Sequence, residues 1–244
     1  MIRLPIAWLA LVASVFSNPE TVTRDGVRYF VWKAKPENVR VVWKNDAGKQ
    51  LPDLPAARAF LEGKNEKPLM LMNGGIFEPG GIPSGLLVQN GKELRPVNRR
   101  DGEGNFFLKP NGIFLISDKG ARVIETGKWP LGGEKISYAV QSGPLLLENG
   151  KIHPAFNKDS KSRLLRNGVG VAGDGTVIFA ISDSKGGKDP NLYGFADLFI
   201  SLGCKDALYL DGVISQMRSG NDLNKASSRF GSVIAVVEGV EDSE

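Results

Sequence analysis

Short apolar runs separated by turn residues recur along the chain, as in LLVQNGKEL and LLLENGKIH. Asn-Gly and Asp-Gly dipeptides mostly lie between such runs: Asn90-Gly91, Asp101-Gly102, Asn149-Gly150 and Asp174-Gly175. Asn and Asp tolerate the positive φ of two-residue turns, so these dipeptides predict antiparallel hairpins. Strands are expected near residues 27–34, 39–44, 68–73, 85–89, 112–117, 121–125, 144–148, 168–172, 176–182, 206–211 and 232–238.

Two segments have helical spacing. In LPDLPAARAFLEGKN, Asp53 can cap a helix whose apolar residues continue to Gly63. In DPNLYGFADLFISLGC, an apolar stripe runs from Leu192 to Leu202 and ends before Gly203. Together these patterns predict an α+β fold: one domain with a mixed, largely antiparallel β-sheet core and a few flanking helices.

Composition is that of a globular protein. The chain has 244 residues, of which 41% are apolar and 24% are charged, which is enough to bury a substantial core. The net charge is +4, but lysine and arginine are scattered among acidic residues rather than clustered. This pattern argues against nucleic-acid binding and weakly favours an anionic partner, for example a phosphorylated glycan.

The N-terminus, MIRLPIAWLALVASVFSNPE, has one arginine, then about a dozen apolar residues, then small or polar residues, which is the order of a secretory signal peptide. The alternative is a buried first element of the mature fold. We expect a signal over residues 1–17 and the mature domain over residues 18–244. No later segment is apolar enough to cross a membrane.

Cysteine use bears on the compartment. Cys204 is the only cysteine, so the chain has no internal disulfide. An exported protein without disulfides fits a bacterial periplasm or the exterior better than a eukaryotic secretory route. Cys204 follows Gly203 between a helix and an apolar strand, and we expect it to be inert packing.

Three polar or flexible residues, Asn73, Gly74 and Gly75, end the apolar run LMLMNGG. Glycine permits unusual backbone angles and close approach of another group. The segment is therefore either a tight turn or a surface on which a ligand rests. Unlike the hairpin dipeptides, it continues with Ile76 and Phe77 before the next turn residues, which is more than a hairpin requires.

A second polar stretch, Gln141-Ser142-Gly143, precedes the apolar run PLLLE. There a hydroxyl, an amide and a backbone N–H can converge on a ligand, although a plain turn is the simpler interpretation. His153 is the only histidine, and no G-x-S-x-G motif is present, which disfavours a serine hydrolase. We expect His153 to be a local hydrogen-bonding or substrate-contact residue.

The stretch SRLLRNGVGV places Arg163 and Arg166 before Asn167. The planar guanidinium group matches phosphate or carboxylate, and the following glycine allows an anion to approach the main chain. Two exposed surface charges would give the same pattern.

Two aspartates follow apolar strands and are close to glycines. Asp211 and Gly212 end ALYLDG, and Asp183 follows VIFAIS. The first is also a good hairpin signal. Two such carboxylates could act as acid and base, or share a divalent cation such as Ca²⁺ or Mg²⁺.

Taken in order, these stretches resemble the phosphodiester glycosidase family, which includes the lysosomal uncovering enzyme and many bacterial exported proteins. The matching segments are MNGGIF with GIPSGLLVQNGKEL, NFFLKPNGIF, QSGPLLLENGKIHPAF, SRLLRNGVGV and ALYLDGVISQM, over roughly residues 68–217. One departure is Val213, which replaces the second glycine of an Asp-Gly-Gly-x-Ser motif ending at Ser215.

The resemblance implies hydrolysis of a sugar-1-phosphodiester, of the N-acetylglucosamine type, in an envelope or extracellular glycan. Its motifs match Arg166 and Asp211, for which we expect catalytic roles: Arg166 stabilises the phosphate and Asp211 is the base or nucleophile. Asp183, which lies outside the matched motifs, is the candidate for the partner of Asp211 or a metal ligand. Substrate contacts are expected from the remaining motif residues and their neighbours: Asn73, Gly74, Gly75, Gln141, Ser142, Gly143, His153, Asn167, Gly212 and Ser215.

Two alternatives stay open at this point. A non-catalytic exported module that binds phosphorylated or acidic glycan would use Arg166 and the glycine loops without needing both carboxylates. A structural partner of another envelope protein would need neither sugar binding nor converging polar residues.

Overall fold

The structure is a computed structural model that describes residues 18–239, so the expected signal over residues 1–17 lies outside the described residues. Within that range the chain forms α1 (Leu54–Glu62) and α2 (Leu192–Ser201). The strands are β1 (Glu20–Arg24), β2 (Val27–Ala34), β3 (Val39–Val42), β4 (Pro68–Asn73), β5 (Phe77–Glu78), β6 (Ile82–Pro83), β7 (Leu87–Gln89), β8 (Lys92–Arg95), β9 (Gly112–Ser117), β10 (Gly120–Glu125), β11 (Ile136–Ser142), β12 (Leu145–Glu148), β13 (Lys151–Ile152), β14 (Asn167–Ala172), β15 (Val177–Ser182), β16 (Cys204–Asp211), β17 (Met217–Ser219) and β18 (Val233–Val237).

The strands form three larger sheets and one small one. The seven-stranded sheet has the order β1-β2-β15-β14-β16-β12-β13, the five-stranded sheet β10-β9-β11-β7-β8, and the four-stranded sheet β17-β4-β18-β3. Strands β5 and β6 pair only with each other. Strand pairs along residues 18–239 are antiparallel throughout, which confirms the prediction of a largely antiparallel α+β fold.

The three larger sheets share one apolar core. Each contributes alternate side chains to it, among them Phe179 and Leu208 from the seven-stranded sheet, Phe114 from the five-stranded sheet and Met70 from the four-stranded sheet. Because successive strand residues point to opposite faces, the other side of each sheet needs a separate cover.

The two helices cover two of those outer faces. Helix α1 packs Leu54 and Leu61 against the four-stranded sheet, and its N-terminus is capped by Asp53, whose carboxylate accepts the Ala56 N–H at 2.9 Å. Helix α2 packs Phe195 and Phe199 against the seven-stranded sheet. No helix in the described part of the chain has the length and apolarity needed to span a membrane.

The hairpin predictions were largely correct. Asn90 and Asn149 occupy hairpin turns with φ of 49° and 51°, and Gly175 lies in the turn between β14 and β15. Asp101-Gly102 is an exception, because it lies in the long connection between β8 and β9. Strand β11 was not predicted, and it pairs with both β9 and β7 at the centre of its sheet.

Strand ends from two sheets meet at one place. Asp211 is the last residue of β16 and lies opposite Asn167, the first residue of β14. Asn73 is the last residue of β4, in the neighbouring four-stranded sheet. This junction brings together residues far apart in sequence and is the position of the candidate site.

Candidate active site

Asn73 joins the two sheets. Its side-chain N–H donates to Asp211 Oδ2 at 3.1 Å, and its Oδ1 accepts the Gln216 N–H at 2.8 Å and the Asn167 amide at 3.1 Å. Asn167 also donates to the Asn73 backbone carbonyl at 3.0 Å. These bonds fix the orientation of the Asn73 amide. We call Asn73, Asn167, Asp211 and Gln216 the Asp211 cluster.

Asp211 is a half-buried carboxylate that is held by amides rather than by a cation. Oδ1 accepts the Gly212 N–H at 2.7 Å, and Oδ2 accepts from Asn73. Within residues 18–239 no basic side chain forms an ion pair with it. Burial raises the pKa of Asp211 to about 6, although the two hydrogen bonds oppose that change. The group can therefore accept a proton near neutral pH.

Several buried polar atoms around the Asp211 cluster have no hydrogen-bond partner. At the junction these are Asn167 Oδ1, Ser215 Oγ and Ser232 Oγ. Leaving a buried polar group unpaired is costly, and such groups normally bond to protein, water or a ligand. Three such atoms near one carboxylate make this junction the candidate polar site.

Arg166 lies behind this junction rather than in it. Its residue is only 2% exposed, and its guanidinium donates to the carbonyls of Pro190 and Ser162, both at 3.1 Å. The guanidinium carbon is 5.5 Å from the centroid of the Tyr209 ring. Burial lowers the pKa of Arg166, and the neighbouring Tyr209 opposes that effect. The positive charge therefore lies next to Tyr209, behind the site.

Tyr209 was not predicted from the sequence. It is two residues before Asp211 on β16, and its hydroxyl would lie 2.6 Å from a Cβ placed on Gly212. Burial raises the pKa of Tyr209 to about 12, so it is a neutral hydrogen-bond donor at neutral pH. The sequence feature that could have pointed to Tyr209 is a tyrosine within the otherwise aliphatic run ALYL.

Gly74 and Gly75 are required by chain packing. Neither has a positive φ. A Cβ on Gly74 would lie 2.3 Å from Ser232 Oγ, and one on Gly75 would lie 2.7 Å from the Gln141 carbonyl oxygen. The Gly74 N–H already donates to the Ser232 carbonyl at 2.8 Å. The groups that come close to these two glycines are therefore Ser232 and Gln141 of the chain itself.

Ser142 and Gly143 pack next to the junction and connect the segments around it. The Ser142 hydroxyl donates to the Leu210 carbonyl at 2.9 Å and accepts the Ile76 N–H at 3.3 Å, so it ties β16 to the chain after β4. A Cβ on Gly143 would lie 2.6 Å from the Asn111 side chain. Both residues lie beside the Asp211 cluster and are engaged in packing.

Gln141 points away from the junction and is saturated by backbone groups. Its Oε1 accepts the N–H groups of Leu86 and Asn98 at 3.0 and 2.8 Å, and its Nε2 donates to the Asn98 carbonyl at 2.6 Å. The amide thus fastens the 84–98 segment to β11. A ligand contact by this side chain would require these bonds to break.

His153 is buried beside Phe156, with ring centroids 4.7 Å apart. Its Nδ1 accepts the Ala155 N–H at 3.1 Å, and its backbone N–H donates to Leu146. Burial lowers the pKa of His153, so its ring is neutral at pH 7. None of these partners belongs to the Asp211 cluster.

Asp183 faces away from Asp211, towards β2. Its Oδ2 lies 2.7 Å from Arg28 Nε and 2.5 Å from Nη2, and its Oδ1 accepts the Lys185 N–H at 3.0 Å. The expectation that Asp183 pairs with Asp211 as acid and base, or shares a cation with it, therefore finds no support in the geometry. Residues 18–239 contain no group of three or more His, Cys, Asp or Glu placed to hold a metal ion.

The site opens to solvent at Gly212. Asp211 and Gly212 are half-buried, and the two residues after them are exposed. Two clefts of about 370 and 420 Å³ lie elsewhere, the first near Lys205 and the second near Tyr138. The arrangement at the junction is thus a shallow surface site with one basic carboxylate and several unpaired polar groups.

The family model of phosphodiester glycosidases matches residues 67–237. The chain belongs to that family. The matched segment contains all the stretches on which the resemblance rested, so the prediction of this family is confirmed. Family membership implies a glycan substrate.

Individual proteins are similar to this chain in sequence or in fold. The chain is 34% identical over 215 residues to the uncharacterized protein YigE of Escherichia coli K12, covering 88% of this chain and 81% of that protein. The fold is similar to the zebrafish N-acetylglucosamine-1-phosphodiester alpha-N-acetylglucosaminidase catalytic domain, auto-inhibited by its pro-peptide: TM-score 0.64, 17% identity, covering 91% of this chain and 82% of that one. A Burkholderia pseudomallei protein inferred to be exported matches with a TM-score of 0.53 at 13% identity, covering 86% of this chain and 74% of that one.

Proposed function

We propose that the protein hydrolyses a sugar-1-phosphodiester on its glycosidic side, in a bacterial envelope or extracellular glycan, after export to the periplasm or beyond. The observation that carries this proposal is the Asp211 cluster, where a carboxylate of raised pKa lies among unpaired buried polar groups. The family and the activity of the zebrafish enzyme support N-acetylglucosamine as the sugar to test first.

In this proposal Asp211 removes a proton from water. The water oxygen bonds to the anomeric carbon, and the bond from that carbon to the phosphate oxygen breaks with its electron pair on the leaving phosphate monoester. Because a phosphate monoester is a good leaving group, a second carboxylate acting as general acid is not needed. This suits a site from which Asp183 is absent.

The other residues orient and stabilise. Asn73 donates to Asp211 Oδ2 and holds it in place, while Gly212 donates to Oδ1. The Tyr209 hydroxyl donates to the phosphate, and the Arg166 charge behind it stabilises the developing negative charge. Asn167 Oδ1 and Ser215 Oγ have no partner within the described residues but are buried, so in this proposal they support the cluster through bound water rather than contact the sugar.

The test is turnover of an N-acetylglucosamine-1-phosphodiester by purified residues 18–244, with release of free sugar and phosphate monoester followed by NMR. An inverted anomeric configuration is expected if Asp211 activates water, and a retained one would make it a nucleophile. Unchanged turnover by a folded Asp211→Ala variant would refute the assignment.

The second candidate is a non-catalytic module that binds acidic glycan. Most glycosidases use two carboxylates. Because Asp183 is already paired with Arg28, this observation favours the non-catalytic module. Binding of the phosphodiester without turnover, with no effect of Asp211→Ala on affinity, would support this candidate instead.

A further inference from the structure

Exposed large hydrophobic side chains are few and concentrated. Among residues 18–239 they are Leu164, Ile200, Val213 and Ile214, with exposed fractions of 41%, 39%, 67% and 40%. Single exposed hydrophobic residues need no explanation. Three of these four, however, flank the Asp211 cluster. We call Leu164, Val213 and Ile214 the apolar ledge.

Val213 and Ile214 project from a turn that is fixed at both ends. The Ser215 N–H donates to the Gly212 carbonyl at 2.7 Å, which places the two side chains at the corners of the turn. Asp211 precedes the turn, and the Gln216 N–H following it is bound by Asn73 at 2.8 Å. The two side chains are therefore presented in one orientation beside the proposed catalytic carboxylate.

Leu164 lies in the chain segment before β14, and the residue after it borders the same turn. The Leu165 carbonyl oxygen would lie 3.8 Å from a Cβ on Gly212, and the Leu164 N–H donates to Pro190 at 3.3 Å. Leu164 also lies in a segment, 158–165, that carries three exposed basic residues, Lys158, Lys161 and Arg163, and one exposed acidic residue, Asp159. Apolar surface and positive charge thus lie together at the rim of the site.

This combination suits an amphiphilic anion. The phosphate of a sugar-1-phosphodiester is attracted by the basic segment, and its second ester group extends outward over the rim. A hydrocarbon group there would remove the apolar ledge from water, whereas a hydroxylated group would not. Val213 also stands where the family motif has glycine, so the apolar surface is a feature of this chain.

We infer that the apolar ledge selects phosphodiesters whose aglycone is a hydrocarbon group. This inference rests on the proposed function and names the substrate class for the same site.

The test compares two N-acetylglucosamine-1-phosphodiesters of equal chain length, one with an octyl group and one with a polyether group, below their micelle-forming concentrations. The native chain is expected to prefer the octyl ester in kcat/KM by about tenfold. The variant Val213→Ser/Ile214→Ser should bring this ratio close to one. Ile200→Ser, on the exposed side of α2, is the matched control and should keep the native ratio.

Non-hydrolysable phosphonates of the same two esters give a readout that does not need turnover. The native chain should bind the octyl phosphonate more tightly, and the double variant should lose that preference. If neither ester is hydrolysed, the proposed function fails and these affinities alone decide the inference.

Three results would overturn the inference. The first is equal kcat/KM for the two esters, which leaves the proposed function intact. The second is an equal loss of preference in Ile200→Ser and the double variant. The third is self-association through the apolar ledge: the native chain is a dimer and the double variant is a monomer, while both have the same ratio of kcat/KM for the two esters.

Discussion

Asp183 and Asp211 lie at the ends of two strands, β15 and β16, of the same seven-stranded sheet, yet their surroundings differ. Asp183 forms an ion pair with Arg28 and accepts the Lys185 N–H, so its charge is neutralised within the fold. Asp211 accepts only amide hydrogens, and burial raises its pKa to about 6. The partner of a carboxylate, rather than its position at the end of an apolar strand, therefore separates a structural role from a chemical one.

The largest expected effect is on activity. Asp211→Asn should lower kcat/KM for an N-acetylglucosamine-1-phosphodiester by about a thousandfold, because the amide cannot take the proton from water. Asp183→Asn should retain most of the activity, since Asp183 has no contact with the Asp211 cluster. Both variants are to be measured at pH 7.5 after circular dichroism has shown that they are folded. Equal losses of kcat/KM in the two variants would show that Asp183 and Asp211 do not differ in their contribution to activity.

The second effect is on stability. Arg28→Met leaves the Asp183 carboxylate buried without its cation, and should lower the free energy of unfolding by about 2 kcal/mol in urea titrations. Adding Asp183→Asn to that variant should restore part of the loss, because the unpaired charge is then gone. Additive losses in the double variant would mean that the ion pair does not couple the two residues.

The third effect concerns Tyr209. Removing its hydroxyl in Tyr209→Phe should reduce kcat/KM by about tenfold, because one donor to the phosphate is lost while the ring over Arg166 remains. Tyr138→Phe is the matched control, since its hydroxyl bonds Asn90 at the opposite end of β11. If both variants keep full activity, Tyr209 has no role in the reaction.

The smallest effect is the dependence of stability on pH. The pKa of Asp211 rises from 3.8 to about 6 on folding, so its contribution is fully present below pH 3.8 and is lost as the pH rises through 6. Asp211→Asn should therefore be more stable than the native chain by about 1 kcal/mol at pH 8. The difference should disappear near pH 4. A destabilised variant at pH 8 would show that the carboxylate is favoured in its ionised form.

Local patterns predicted both helices and most strands, but not β1, β5, β6, β11 and β17. Asn90-Gly91 and Asn149-Gly150 marked hairpins because their backbone preference depends only on neighbouring residues. Helix α1 was predicted with its Asp53 cap for the same reason. Strand β11 was missed because its polar end, Gln141 and Ser142, looked like a turn. In the fold these side chains are buried and bonded to backbone groups of distant segments.

The candidate site was only partly accessible from sequence. Asn73 and Asp211 were both selected, and they are hydrogen-bonded although 138 residues apart. Asp183, however, forms an ion pair because Arg28 lies beside it. Arg28 is on another strand, and no local sequence pattern connects it to Asp183. The Gly74 contact with Ser232 likewise arises only when β4 and β18 pair.

The most direct test of the central claim is the pH profile of kcat/KM for an N-acetylglucosamine-1-phosphodiester between pH 4 and 9. If Asp211 acts as the base, activity should rise with pH through an apparent pKa of about 6 and then remain level. Turnover with no change near pH 6, or no turnover at any pH by the folded chain, would contradict the account.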